Sequence, residues 1–419
     1  MANICFLLGA GFSVPAGYPS AFDVSQKLIA YDNRYMYAHT SGFYLVKKIF
    51  YTLGENPFEE YNNTKEWNGE SFSWKEGAMM LEVLISIYRS KIDSSIKNYE
   101  ELYDFINNFR IYSKENIETI LYETRLVGKR KLDDPYWGWW TNKIEKYSND
   151  ETESGSWVTA IGHALLCFDY LINDIIQKLK SNKHFDYQNL IQFIKNNTSF
   201  NFDFFTLNHD LLLENLFESN QIDYSDGFEA GKFYSDESPI MYHFAANYSS
   251  SNRIYKLHGS VNYWDYYYVI NSQAIDKHVV IKHKSGEYHS FYINDGSGSQ
   301  IVAENSGLIL SGVESKKLRY SGPLVCDLMP IYKEKLDSAD LVIVIGYSFM
   351  DAIINTVLDE SVFSHNEKPL IAVGFGNAPE YLHTKMLSGT SITFQGDGID
   401  KYNFADAQSL LDRLTQHEL

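Results

Sequence analysis

Four short segments carry side chains able to do chemistry, and three of them directly follow an apolar run. The first is Gly9-Ala10-Gly11-Phe12-Ser13, with Ala16-Gly17-Tyr18-Pro19 close behind. Glycines between a strand and a helix let backbone amides approach a pyrophosphate at the helix N-terminus. The spacing departs from the Gly-x-Gly-x-x-Gly dinucleotide fingerprint, so a tight packing turn explains it equally well. The second is Thr206-Leu207-Asn208-His209-Asp210. Its carboxamide and carboxylate can hold polar substrate groups in a cleft; alternatively, either one caps the helix expected over Leu211 to Phe217.

The third segment, Lys256-Leu257-His258-Gly259-Ser260, offers an imidazole. It can act as a general base near neutral pH or serve as a structural histidine. In the fourth, Gly346-Tyr347-Ser348-Phe349-Met350-Asp351, Gly346 and Ser348 suit a phosphate or ribose, and Asp351 a ribose hydroxyl. The same aspartate would cap a helix over Ala352 to Leu358. A fifth segment, Gly374-Phe375-Gly376-Asn377, has the composition of a turn and adds Asn377 as a candidate. His278, His283 and His289 have no metal-ligand spacing and are expected on a solvated flap.

Such segments need a scaffold that brings strand ends to one place. Asn3 to Leu8, Phe202 to Leu207, Leu341 to Ile345, Leu370 to Val373 and Ser391 to Phe394 are short, mostly apolar runs. Parallel strands buried on both faces have this character. Each run leads into a turn containing Gly, Asn or Asp. The pattern predicts an α/β fold, a Rossmann-like doubly wound parallel sheet with its ligand at the carboxyl ends of the strands.

Between roughly residues 31 and 197 the texture is helical. Ala78 to Tyr88, Tyr99 to Ile111, Asn116 to Val127 and Trp157 to Lys180 carry apolar residues at helical spacing. In the last, Ile161, Leu165, Phe168, Ile172, Ile175 and Leu179 share one face. The expected organisation is residues 1–30 and 198–419 as the α/β domain, with 31–197 as a large helical insertion. Within the α/β domain, 263–313 alternates aromatics (Tyr266, Tyr268, Tyr288, Phe291) with turn residues and reads as a β-rich flap. Ala405 to Leu414 reads as a closing amphipathic helix.

Composition narrows the function classes. The chain has 419 residues, 44% of them hydrophobic and 16% aromatic, which supports a packed core rather than disorder. Its net charge of −18 argues against direct nucleic-acid binding. Cys5, Cys167 and Cys326 lie far apart and form no Cys-x-x-Cys pair, so neither a zinc ribbon nor a disulfide framework is expected. No stretch approaches the roughly 18 unbroken apolar residues of a membrane helix. Ile4 to Ala10 lacks the basic leader of a signal peptide, and a reducing cytoplasm is the expected compartment.

Taken together and in this order, the motifs resemble the sirtuin superfamily. Gly9 to Pro19 matches its GAG-x-S loop and A-G-x-P segment, and Thr206 to Asp210 its T-x-N-x-D motif. His258-Gly259 matches its His-Gly pair, and Gly346 to Ser348 its G-x-S strand end. The resemblance covers the first 30 or so residues and most of the chain from about Phe200 onward. Two departures stand out. No cysteine pair is present to build the four-cysteine zinc module of sirtuin deacylases, and Ser20-Ala21-Phe22 stands where those enzymes carry Asp-Phe-Arg. TLNHDLLLE (Thr206 to Glu214), DYSDGF (Asp223 to Phe228), KLHGSVNYW (Lys256 to Trp264) and GYSFMD (Gly346 to Asp351) resemble instead the sirtuin-like effectors of bacterial anti-phage defence.

Members of that branch resemble NAD glycohydrolases. The resemblance therefore implies cleavage of NAD to nicotinamide and ADP-ribose, with no metal. It implies catalytic roles for Asn208, Asp210 and His258. It also implies NAD contacts from Gly9, Ala10, Gly11, Ser13, Pro19, Thr206, Gly346, Ser348, Asp351 and Asn377. An NAD-dependent protein deacylase and a non-catalytic NAD- or ADP-ribose-binding scaffold remain as alternatives. A toxic hydrolase must be restrained, which implies a homo-oligomer and a separate partner chain resembling the HerA-type hexameric ATPase and translocase. No membrane and no direct nucleic-acid contact are expected. The aromatic pairs Tyr136-Trp137 and Trp139-Trp140 are read either as an interface for such a partner or as core packing.

Overall fold

The structure is a computed structural model. It describes residues 2–29, 36–39, 42–45, 69–94, 98–130, 136–149, 154–178, 185–231, 233–234, 240–270, 273–283, 292–295, 300–305, 308–309, 324–364, 368–388 and 391–417. Two compact units are present. One comprises Met1–Ser20, Leu179–Leu310 and Lys317–Leu419; the other comprises Ala21–Lys178 and Ser311–Lys316.

The first unit is built on a six-stranded sheet of β1 (Asn3–Leu8), β2 (Asn201–Thr206), β3 (Asn252–Lys256), β4 (Leu341–Ile345), β5 (Leu370–Val373) and β6 (Ile392–Gln395). All pairings are parallel, in the order β6-β5-β4-β1-β2-β3. The chain winds outward from β1 on one side, returns to the other side of β1, and winds outward again. This is the doubly wound arrangement, with the strand order reversing between β1 and β4.

Alternation along β1 explains why it sits in the middle. Ile4, Phe6 and Leu8 join one apolar layer, and Cys5 and Leu7 the opposite layer. In the first layer Phe6 stacks on Phe204 at 4.6 Å, beneath the Gln188–Asn196 and Ala405–His417 helices. In the second, Phe205 stacks on Tyr255 at 4.5 Å, covered by Leu328, Tyr332 and Leu336 of the Val325–Asp337 helix. Burying each such side chain contributes about 1.5–3 kcal/mol.

Two strands differ from the sequence reading. β3 has the composition Asn-Arg-Ile-Tyr-Lys, not an apolar run, because it is an edge strand. Its Arg253 Nε lies 2.7 Å from the fully buried Asp203 carboxylate, which also accepts from the Tyr255 hydroxyl at 2.9 Å. A polar edge strand leaves no hydrophobic signature. β6, the other edge, runs one residue later than expected.

The same unit carries a seven-stranded antiparallel sheet. Besides strands within residues 263–305, it includes Gly227–Ala230, Phe233–Tyr234 and Tyr242–Asn247, which precede the expected flap. Tyr242–Asn247 is largely exposed, so no alternating pattern marks it in the sequence. Contrary to expectation, His283 is not on a solvated surface. His283 is buried with its Nε2 3.0 Å from the Tyr266 hydroxyl, and His278 Nδ1 lies 3.0 Å from Asp265. His289, Tyr288 and Phe291 lie outside the described residues.

The second unit contains helices Ala21–Ile29, Gly69–Lys91, Tyr99–Asn108, Lys114–Arg130, Tyr136–Asn149 and Ser154–Lys178, with a short hairpin of Met36–His39 and Gly42–Leu45. Its packing centres on the longest helix. Trp157, Ile161, Phe168, Ile172 and Ile175 are buried there, and the Trp157 indole donates to the Phe109 carbonyl at 2.8 Å. Gly77 of the neighbouring helix faces the His163 backbone so closely that a Cβ would lie 2.7 Å from it. The stretch Ser154–Asn173 is long and apolar enough to cross a membrane, but its burial is that of a core helix. Trp137 and Trp140 are also buried, so this aromatic cluster is core packing first, with Trp139 partly exposed.

Candidate functional site

The four chemistry-bearing segments leave the sheet at its carboxyl edge. Leu8 lies beside Thr206 and Ile345 in register, and Thr206 lies beside Lys256. Gly9, Asn208, His258 and Gly346 therefore begin their loops at one level. In open α/β sheets the crevice outside such strand ends is where ligands bind.

The glycines act first by close packing. The Gly9 amide donates to the Ile345 carbonyl and the Gly11 amide to the Gly346 carbonyl, both at 2.9 Å. These two N–H groups are thus engaged within the fold rather than offered to a pyrophosphate. A Cβ on Gly9 would lie 2.6 Å from the Gly346 carbonyl oxygen, and one on Gly11 2.7 Å from the Gly346 Cα. Gly346 itself has φ +64°, a left-handed conformation that costs a side-chain-bearing residue about 1–2 kcal/mol. Ala10 and Ser13 flank the packed turn, Ala10 exposed and Ser13 buried.

Asn208 is fixed from two sides. Its side-chain amide donates to the Gly9 carbonyl at 2.9 Å and to the Ser13 hydroxyl at 3.0 Å. Its backbone amide donates to the Thr206 hydroxyl at 3.0 Å. Both carboxamide hydrogens are engaged, and among the described residues nothing donates to Oδ1. That oxygen is left to accept from water or a ribose hydroxyl. Asp210, buried, receives the Leu212 amide on Oδ1 at 2.9 Å, so the helix-start alternative holds for it.

His258 is buried, and its Nε2 lies 3.3 Å from an Asp351 carboxylate oxygen. Its ring centroid is 6.2 Å from that of His209. Asp351 also caps the Ala352–Leu358 helix, accepting the Ile353 and Ile354 amides at 3.0 and 3.2 Å. It faces His258 and does not line the neighbouring pocket.

A buried cation sits beneath this loop. The Lys256 ammonium donates to the Asp210 carbonyl and to Glu214 Oε1, the latter at 3.0 Å. Burial pushes the Glu214 carboxyl up from its usual range, with Lys256 opposing. Burial, with Asp210 and Glu214 adding, also pushes the Tyr18 phenol up to about 12; Tyr187 moves the same way. These phenols stay neutral and can donate, as Tyr187 does to the Phe12 carbonyl. Sequence reading passed over Lys256, Glu214 and Tyr187. Lysine and glutamate are common surface residues, and only their burial distinguishes them.

Between the first turn and the β4 and β5 loops lies a pocket of about 240 Å³. Gly11, Gly346, Ser348 and Asn377 line it, together with Phe375 and Pro379. Ligand sites commonly measure about 300–1,000 Å³, so this pocket suits one portion of a dinucleotide. Of the candidate residues, Gly9, Ala10, Ser13, Pro19, Thr206, Asn208, Asp210, His258 and Asp351 lie outside its lining. Among the described residues no group of three or more His, Cys, Asp or Glu side chains could hold a metal ion.

Residues 203–383 match the family model described as SIR2-like domain, a span that includes Asn208, Asp210, His258, Gly346, Ser348, Asp351 and Asn377. No curated protein matches the chain. With the parallel sheet and the strand-end site, this match supports a sirtuin-like family for the chain and an NAD-related function.

Proposed function

We propose that the chain is an NAD glycohydrolase, releasing nicotinamide and ADP-ribose, and that it works as a toxic effector in anti-phage defence. The observation that carries this reading is the anchored Asn208 beside His258, one strand over at the same carboxyl edge. In the reaction the C1′–N bond breaks and its electron pair passes to the nicotinamide ring nitrogen. Water oxygen bonds to C1′, and the water proton passes to His258. Asn208 Oδ1 orients the water or a ribose hydroxyl, while Asp210 shapes the nicotinamide side. Ala10, Ser13, Pro19 and Thr206 border the diphosphate side, and Gly346, Ser348 and Asn377 the nucleoside portion. Gly11 and Gly346 line the pocket that would take the nucleoside portion.

We further propose that the chain is cytoplasmic, forms a homo-oligomer and is restrained by assembly with a HerA-type ATPase. The support for these points is the motif resemblance together with the hazard of an unrestrained NAD hydrolase.

Purified protein is incubated with NAD, alone and with the candidate ATPase, and nicotinamide, ADP-ribose and acetyl-ADP-ribose are quantified. Release of nicotinamide with ADP-ribose is expected, and Asn208→Ala or His258→Ala should lower it by about 10²–10⁴-fold. Near wild-type hydrolysis by either variant defeats the assignment. Acetyl-ADP-ribose formed from an acetylated peptide would point to a deacylase, and tight NAD binding without turnover to a scaffold.

A further inference from the structure

We infer that Asp351 is the positioning residue of His258, holding the imidazole across the mouth of the crevice. The inference rests on reading His258 as the base. His258 follows β3 and Asp351 follows β4, and the order β4-β1-β2-β3 puts two strands between them. At about 4.8 Å per strand, the two chains leave the sheet roughly 14 Å apart. Yet the side chains meet at 3.3 Å, so the two strand-end loops converge across that span.

The loop is held in that reach. Phe349 has φ +59°, a left-handed conformation unusual for a non-glycine residue and strained there. It is buried and stacked on Tyr381 at 5.4 Å. Asn355 donates from Nδ2 to the Phe349 carbonyl at 2.8 Å and accepts the Tyr347 hydroxyl at 2.9 Å. The Asp351 amide in turn donates to the Tyr347 oxygen at 3.2 Å. A plain helix start needs only the Asp351 cap. The additional bonds fix where its second carboxylate oxygen lies, while Oδ1 takes the Ile353 and Ile354 amides and Oδ2 faces His258.

A carboxylate facing Nε2 favours the tautomer with its proton there and leaves Nδ1 as the ring's acceptor. It also stabilises the imidazolium formed when His258 takes the water proton.

The test separates capping from positioning. Asp351→Asn and Asp351→Ser both keep a side chain able to cap the helix. The asparagine lacks the charge, and the serine is too short to reach His258. Each variant is expected to melt near wild type and keep KM for NAD within about threefold, while kcat for nicotinamide release falls by tenfold or more. The double variant Asp351→Asn/His258→Ala should be no slower than His258→Ala alone, because Asp351 acts through the ring.

Independently of turnover, ¹⁵N NMR of the selectively labelled histidine should show the Nε2–H tautomer in the wild type and a mixed population in Asp351→Asn. Unchanged kcat, additive losses in the double variant, or an unchanged tautomer overturns the inference. If His258→Ala retains activity, the reading of His258 as the base fails instead, and the NMR result still decides whether Asp351 orients the ring.

Discussion

Replacing Gly346 by alanine should collapse the site while leaving the rest of the chain intact. Three costs meet at this position. Its φ of +64° charges an alanine about 1–2 kcal/mol. A Cβ there would lie 2.3 Å from the Gly11 carbonyl carbon and 2.3 Å from the Phe12 nitrogen, both backbone atoms. Relieving that clash requires about 1 Å of movement in a packed turn, with an overpacking cost of about 1–3 kcal/mol. The movement also strains the Gly11 amide bond to the Gly346 carbonyl, worth about 1 kcal/mol. The expected loss is therefore about 3–6 kcal/mol.

Two companion variants separate these contributions. Gly376 has φ +76°, and a methyl added there would meet nothing within 4 Å, so Gly376→Ala should cost only the dihedral, about 1–2 kcal/mol. Gly11→Ala meets the Gly346 Cα at 2.7 Å without a positive φ, and so should lose the contact portion alone. Thermal melts are converted at roughly 2–4 °C per kcal/mol for a unit of this size. They are read beside hydrogen exchange of the peptide spanning residues 5–20, because five of the six tryptophans among the described residues lie in the helical unit and report poorly on the sheet. NAD turnover should survive in Gly376→Ala and be lost in Gly346→Ala. The reasoning is refuted if Gly376→Ala costs as much as Gly346→Ala, or if Gly11→Ala is neutral in both melt and exchange.

Two other outcomes follow from buried charge. Lys256→Met should destabilise the chain by up to about 3–5 kcal/mol in urea melts because it leaves the Glu214 carboxylate, only 12% exposed, without its cation. Adding Glu214→Gln should recover much of that loss, and a double variant as weak as the single one contradicts the pairing. In the helical unit, burial holds the His163 imidazole below its usual range, with Lys143 adding and Glu76 opposing. The folded state thus favours neutral His163. Its contribution is fully present above pH 6.5 and lost as pH falls below that value through the lowered folded value. His163→Gln should flatten the fall in stability on acidification below about pH 6.5, and an unchanged slope defeats the assignment.

What could be read from sequence followed burial. β1, β4 and β5 sit inside the sheet, where both faces are apolar, so Asn3–Leu8, Leu341–Ile345 and Leu370–Val373 announce themselves. β3 did not, because an edge strand can carry Arg253 and satisfy it against Asp203. The early strands of the antiparallel sheet were equally silent, since largely exposed residues show no alternation. Among the site residues, Asn208 and His258 stood out by their positions after apolar strands or beside glycine. Lys256 and Glu214 became visible only through burial, which no single sequence records.

The paired readings of the motifs turn out not to compete. At a strand's carboxyl end the chain must turn into a helix, and the first helical amides need an acceptor. The same spot is where the crevice opens, so one carboxylate can serve both. Asp351 does so literally, with Oδ1 on two helix amides and Oδ2 toward His258. Asn208 divides its functions likewise, its amide hydrogens tying Gly9 and Ser13 while Oδ1 is left for a ligand. Glycine follows the same logic: packing Gly9 and Gly11 against Gly346 is what brings the strand-end loops close together. In this fold a structural explanation of a strand-end residue is no evidence against a chemical one, and only an experiment that keeps the cap while removing the contact can separate them.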